Sequence, residues 1–339
     1  MGFLSATRRK AATVSRWLGP RRLLRTLAKV DDVNTHSREL AKRVEALRIR
    51  TEQLETIVKL DWEWQEDLVR LPEILDRPRI ERHVSAAVAA APLVLDPFPH
   101  LVIDKWLPRE VYRIMIRALP PPVFFADLHP SRQQLPVPFS LSPTYSRRVW
   151  AFIAHEIVDG ILSRALNARF DGVVREYIES FLLSSEGLDL SMRASDGRLM
   201  LRRPGYAITP HRDPKWGFVT GLIYLARGGD DEAHGTQLYR VREDEEAPSD
   251  KPFYIDASRC ELVRTVPFRA NSMLAFLNST GAHAASIPAD AQPAGLERYV
   301  YQFRLGPDTR AIKALLARMP GERRTRWAGA KAEKAVGAI

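Results

Sequence analysis

The sequence predicts an α+β protein in which helices come first and an antiparallel β-sandwich or jelly roll follows. Three observations carry this. From Val33 to Leu182, apolar residues recur at three- and four-residue intervals, the period of helices with one buried face. After Gly197 the period changes to two, in short segments rich in β-branched and aromatic residues, separated by Gly, Pro, Asp and Asn turns. Helices and strands come in blocks and do not alternate, which argues against a doubly wound parallel sheet. With 339 residues, 45% of them hydrophobic, the chain can bury a full core.

Residues 1–30 form a basic tail, with eight Lys+Arg, no Asp or Glu, and apolar residues such as Phe3, Leu4, Trp17 and Leu18 between the charges. Such a stretch is either a solvated tail or a basic amphipathic helix resting on anionic lipid, and its lack of acids also suits an organellar transit peptide. Residues 31–70 read as a long helix. Val33, Ser37, Leu40, Val44, Leu47, Thr51, Leu54 and Val58 follow a heptad seam, so a homodimeric coiled coil through 33–58 competes with docking on the chain's own body. Residues 71–94, rich in Pro and Ala, read as a linker. A body from 95 to 309 follows, opening with a short strand up to Asp104 and a helix started by Pro108. Two amphipathic helices come next, one carrying Trp150, Ile153, Ile157 and Ile161, the other Phe170, Val174, Tyr177 and Phe181. Strands are expected at 198–203, 218–226, 236–241, 260–266, 272–277, 282–287 and 297–305, and residues 310–339 read as a second basic tail.

Position decides what the net charge of +10 means. The first thirty residues hold +8 and the last thirty +6, which leaves −4 for residues 31–309. A basic nucleic-acid groove across the body is therefore not expected. The single cysteine, Cys260, excludes an intramolecular disulfide and a Cys-based zinc site, and it suits a cytoplasmic location, with a membrane-peripheral one if the first thirty residues bind lipid. The apolar run Val84–Leu95 is too short to span a bilayer.

The chemistry concentrates at His211-Arg212-Asp213, at the exit of a strand, where residues two apart point to the same side. His283, a few residues beyond the apolar strand Ser272–Leu277, offers a third ligand. Two imidazoles and one carboxylate on one side of a metal leave positions open for a co-substrate and dioxygen, the arrangement of non-haem Fe(II) sites. Arg298, in the final strand, carries a planar guanidinium suited to gripping a carboxylate.

With these residues the chain resembles the Fe(II)- and 2-oxoglutarate-dependent oxygenases, in particular their prolyl 4-hydroxylase-like branch. The resemblance runs from about Leu95 to Pro307, with Pro97 to Asp104 and Leu107-Pro108 matching the opening segment and Gly205 to Asp213 matching the Gly-Tyr-x-x-x-Pro-His-x-Asp centre. It implies a double-stranded β-helix core, with His211, Asp213 and His283 as catalytic iron ligands. It also implies 2-oxoglutarate and O₂ as co-substrates, ascorbate as a supporting reductant, and Arg298 binding the distal carboxylate of 2-oxoglutarate. The fifteen-residue gap from His283 to Arg298 departs from compact members, so Arg304 stays open as the anchor, and Tyr206 is a further candidate for co-substrate binding. The retained Asp213 implies hydroxylation of a C–H bond rather than halogenation. The substrate, whether protein side chain, sugar or small metabolite, is not specified. Acidic loops at 230–232 and 243–250 would favour a neutral or cationic one. The competing reading is a non-catalytic β-sandwich scaffold assembled through the 33–58 helix.

Overall fold

The computed structural model describes residues 20–327, apart from 183, 191, 215, 229, 231, 245–251 and 294. Residues 1–19 of the basic N-terminal tail, residues 328–339 of the C-terminal tail, and most of the acidic stretch 243–250 lie outside the described residues. The chain divides into two compact units, residues 1–58 and 59–339. Helix α1 (Pro20–Glu63) begins in the first and ends in the second, so residues 20–30, expected as tail, are helical. The heptad positions of α1 are exposed, Val33 at 64% and Val58 at 72%, and the visible support is from exposed ion pairs one turn apart, such as Arg48 with Glu45 and Glu52.

In the second unit the predicted long helix stops at Glu63 and resumes as α2 (Gln65–Ile74). The segment expected as linker is instead largely helical. Helix α3 (Arg77–Ala90) has Pro78 in its first turn, where a missing N–H costs nothing, and Asp76 as N-cap, accepting a hydrogen bond from the Arg79 amide at 3.3 Å. Ile80, Val84 and Val88, spaced four apart, are buried along one face. Of the prolines that suggested a linker, Pro78 falls at a helix start, Pro92 just beyond a helix end and Pro72 inside the last turn of α2, and the alanines are good helix formers.

The body begins with β1 (His100–Asp104) and α4 (Arg109–Arg117), then β2 (Ala126–His129) and β3 (Arg132–Pro136). Helix α5 (Thr144–Phe152) continues through a π-helical stretch, Ile153–Leu162, into α6 (Ser163–Glu179). The strands β4 (Met192–Arg202), β5 (Ala207–Arg212), β6 (Val219–Tyr224), β7 (Thr236–Val241), β8 (Phe253–Tyr254), β9 (Cys260–Val266), β10 (Ser272–Leu277), β11 (Ala282–Ser286) and β12 (Arg298–Pro307) complete two antiparallel sheets. One sheet has the order β1-β10-β6-β12-β4-β3-β2 and the other β8-β5-β11-β7-β9.

Both faces of the larger sheet are covered. Leu199, Leu201, Tyr299, Tyr301, Phe303 and Leu305 point outward into one core with Trp150, Ile157, Leu166 and Phe170 of the helices. Burying each such aliphatic side chain stabilises the fold by about 1.5–3 kcal/mol. Residues at the intervening positions point inward, toward the second sheet, where Leu222, Tyr224, Leu274 and Phe276 meet Leu238 and Val266.

Part of the expected C-terminal tail is also folded. Helix α7 (Thr309–Arg318) is capped by Asp308, which accepts from the Ala311 amide at 2.8 Å, and α8 (Gly321–Trp327) follows. Leu315, Leu316, Met319 and Trp327 are buried, and the Trp327 indole meets Trp216 edge-on at 5.1 Å. Among the described residues no helix is long and apolar enough to cross a membrane.

Candidate metal centre

Two strands of the smaller sheet bring the expected ligands together. β11 pairs antiparallel with β5 in a register that sets His283 directly opposite His211, and the imidazole centroids are 4.2 Å apart. Asp213 follows one residue after the end of β5, on the same side of the extended chain as His211. Ligand atoms from the three side chains lie within 4.8 Å of one another, and all three residues are buried. Among the described residues they form the single such group.

Each side chain is held by neighbours. The His211 Nδ1–H donates to the Thr209 carbonyl at 2.9 Å, a tautomer that leaves Nε2 with its lone pair free. Tyr254 stacks on the His211 ring at 5.5 Å, and Phe276 packs against His283 at 4.6 Å. The Thr220 hydroxyl donates to Asp213 Oδ2 at 2.7 Å while accepting from Asn278 Nδ2 at 2.9 Å, so the direction of the chain Asn278–Thr220–Asp213 is fixed. On the other oxygen, Arg304 donates to Asp213 Oδ1 at 3.1 Å and is also paired with Asp196 at 3.1 Å.

The electrostatics leave this group in the protonation state a cation requires. Burial pushes His283 down to about 3, with His211 and Arg304 adding to the effect and the Asp213 carboxylate opposing it. Burial likewise lowers His211, against Asp213 and the Thr209 carbonyl. For Asp213 burial works the other way, but His283, Arg304, His211 and the Thr220 hydroxyl outweigh it and hold the carboxyl far below its usual range. Two neutral imidazoles beside one carboxylate, gathered on one side, are the donor set of a facial metal site with open positions, and the residues present fit an iron ion.

The ligands open on a cavity of about 160 Å³ between the sheets. Arg298, Arg304 and Tyr206 all line it. Arg298 is 2% exposed, with its guanidinium 4.8 Å above the Phe268 ring and 3.8 Å from Asp230. Tyr206 lies under the Arg202 guanidinium at 4.8 Å. Thr220, Asn278 and Gln302, whose amide nitrogen is 3.5 Å from Asp213, were not among the residues that sequence spacing picked out. They carry no motif of their own, and only the pairing of β6 and β12 brings Thr220 opposite Arg304. Nor did spacing mark Arg132, Arg198 and Arg202, which also line the cavity, although Arg198, Met200 and Arg202 alternate along a predicted strand and so share one face.

No protein-family model and no curated protein matches the chain. Among solved structures, it is similar to a Pseudomonas putida prolyl-4-hydroxylase, at 14% identity and a TM-score of 0.36 over 66% of this chain and 99% of that one. It is also similar to HygX from Streptomyces hygroscopicus, solved with nickel, 2-oxoglutarate and hygromycin B bound, at 15% identity and a TM-score of 0.36 over 61% and 82% of the two chains. A third is AviO1 from Streptomyces viridochromogenes, at 13% identity and a TM-score of 0.38 over 61% and 89%. Likenesses this distant leave the functional reading to the geometry of the site.

Proposed function

We propose that the protein is an Fe(II)- and 2-oxoglutarate-dependent oxygenase that hydroxylates a C–H bond of its substrate. The observation that carries this is the buried group His211, Asp213 and His283, two neutral imidazoles and a carboxylate, opening on a cavity that also contains Arg298. The strand order supports a double-stranded β-helix core. Strands β4, β6, β10 and β12 lie in one sheet and β5, β7, β9 and β11 in the other, so the chain passes repeatedly between the sheets.

Bound Fe(II), with 2-oxoglutarate and O₂, supplies an oxidant for C–H hydroxylation as 2-oxoglutarate is converted to succinate and CO₂. The chain's residues hold and orient. His211 presents Nε2 because its Nδ1–H is engaged by the Thr209 carbonyl, and Thr220 and Arg304 fix the plane of the Asp213 carboxylate. Arg304 is held by Asp213 and Asp196, and Arg298, 2% exposed on the cavity wall, is the anchor proposed for the distal carboxylate of 2-oxoglutarate, in a dry setting where a bidentate guanidinium contact is strong. Tyr206 stands on the same cavity wall as a supporting contact.

Succinate release from 2-oxoglutarate with Fe(II), ascorbate and O₂ tests the proposal. Turnover is expected from the full chain and not from Asp213→Ala. Arg298→Gln is expected to raise the KM for 2-oxoglutarate at least tenfold. No succinate above that of the Asp213→Ala control would return the protein to the scaffold reading.

A further inference from the structure

The cavity wall facing the ligands carries more positive charge than the proposed oxygenase chemistry uses. Arg132 on β3 pairs in register with Arg202 on β4, which pairs in turn with Arg298 on β12, so three guanidinium side chains stand side by side across adjacent strands. Arg198 lies four residues before Arg202 on the same face of β4, opposite Gln302, and all of these residues line the cavity. Like charges at directly opposed sheet positions repel and destabilise the pair. Among the described residues that line the cavity, the only acid is Asp213.

Composition does not account for this concentration, because residues 31–309 have a net charge of −4. Nor do neighbouring acids neutralise all of it. Arg298 has Asp230 nearby and Arg304 has Asp213 and Asp196. Among the described residues, by contrast, Arg132 and Arg198 make no side-chain hydrogen bond or ion pair. Arg202, 5% exposed, donates from one nitrogen to the Gln133 and Leu201 carbonyls, and its buried Nε has no hydrogen-bond partner. Burial lowers the basicity of Arg198, with repulsion from Arg304 and Arg132 adding to it and Asp196 and Asp213 opposing it, and burial lowers that of Arg202, with Arg132 and Arg198 adding and Tyr206 opposing.

We infer that the substrate is a small molecule bearing a phosphate or carboxylate group, gripped by Arg132, Arg198 and Arg202 so that its C–H bond faces His211, Asp213 and His283. This rests on the oxygenase reading and adds the substrate class to it. It also reverses the expectation drawn from the acidic loops: Asp230 turns toward Arg298 and Arg227, and Glu232 pairs with Arg269 at 2.8 Å, so described acids there are matched with arginines. A planar guanidinium pair offers parallel N–H donors to an oxyanion, and the low-dielectric walls focus the field on it.

The test uses the full chain with Zn(II) in place of Fe(II), saturated with 2-oxoglutarate and titrated calorimetrically with inorganic phosphate and, separately, with acetate. At least one anion is expected to bind saturably, and the stronger of the two names the group. Affinity is expected to fall at least tenfold in Arg198→Gln and in Arg132→Gln and to be largely restored in Arg198→Lys, while 2-oxoglutarate affinity changes less than twofold. Absence of saturable binding by either anion overturns the inference, as does equal binding by the Gln variants or a loss of 2-oxoglutarate in place of the anion. Arginine-dependent anion binding in a protein that does not take up 2-oxoglutarate would uphold the anion pocket and remove the oxygenase reading.

Discussion

Thr220 sits at the centre of the hydrogen-bond chain that orients Asp213, and its hydroxyl is buried with a donor on one side and an acceptor on the other. Thr220→Val keeps the shape and removes the hydroxyl. Loss of such a supporting contact typically costs 10- to 100-fold in metal affinity, and we expect calorimetric titration with Fe(II) under argon to show a decrease in that range. His283 gives a second prediction, in the metal-free protein. Its ordinary value of 6.5 falls to about 3 in the folded chain, so below pH 6.5 the unfolded chain binds a proton that the folded one does not. Stability therefore falls as pH drops from about 6.5 toward 3, by up to about 1.4 kcal/mol per pH unit from this group. Denaturant midpoints between pH 6.5 and 4.5 should decline less steeply in His283→Gln than in the parent chain.

At the scale of elements, how much could be read from the sequence depended on whether a segment's pattern had one interpretation. Strands β7, β9 and β10 coincide with their expected bounds, because alternation between turn residues leaves little else for those stretches to be. His211 and Asp213 were legible because two-residue spacing in an extended chain has a fixed geometric meaning. The β4 strand was legible as a strand, but not in what its faces meet. Leu199 and Leu201 bury against helices while Arg198 and Arg202 face the cavity, and alternation alone does not distinguish a polar cavity from solvent. The segment 71–94 misled because prolines weigh equally in linkers and at helix starts, and only the burial of Ile80, Val84 and Val88 separates the two. Packing between elements yields a prediction of its own. A Cβ at Gly235, just before β7, would collide with the Val266 backbone carbonyl on β9, and a backbone atom cannot rotate away. Gly235→Ala should lower stability by about 1–3 kcal/mol, read as a shift in the urea midpoint at unchanged m-value.

For the molecule as a whole, the C-terminal helices belong to the body. Trp327 is fully buried against Trp216 and Phe181, and Trp216 Nε1 donates to the Trp327 carbonyl at 3.0 Å. Trp327→Ala should cost about 3–5 kcal/mol, a loss that solvation of a mere basic tail would not produce. The heptad face of α1 is exposed, and sedimentation equilibrium of the full chain decides whether a second copy covers it. The mass of one chain would rule out a stable homodimer through residues 33–58. The decisive measurement concerns the metal. Anaerobic titration of the full chain with Fe(II) should give one tightly bound ion per chain, with affinity reduced at least a hundredfold in a folded Asp213→Ala variant. Binding that is undiminished in that variant would contradict the assignment of His211, Asp213 and His283 as the iron site.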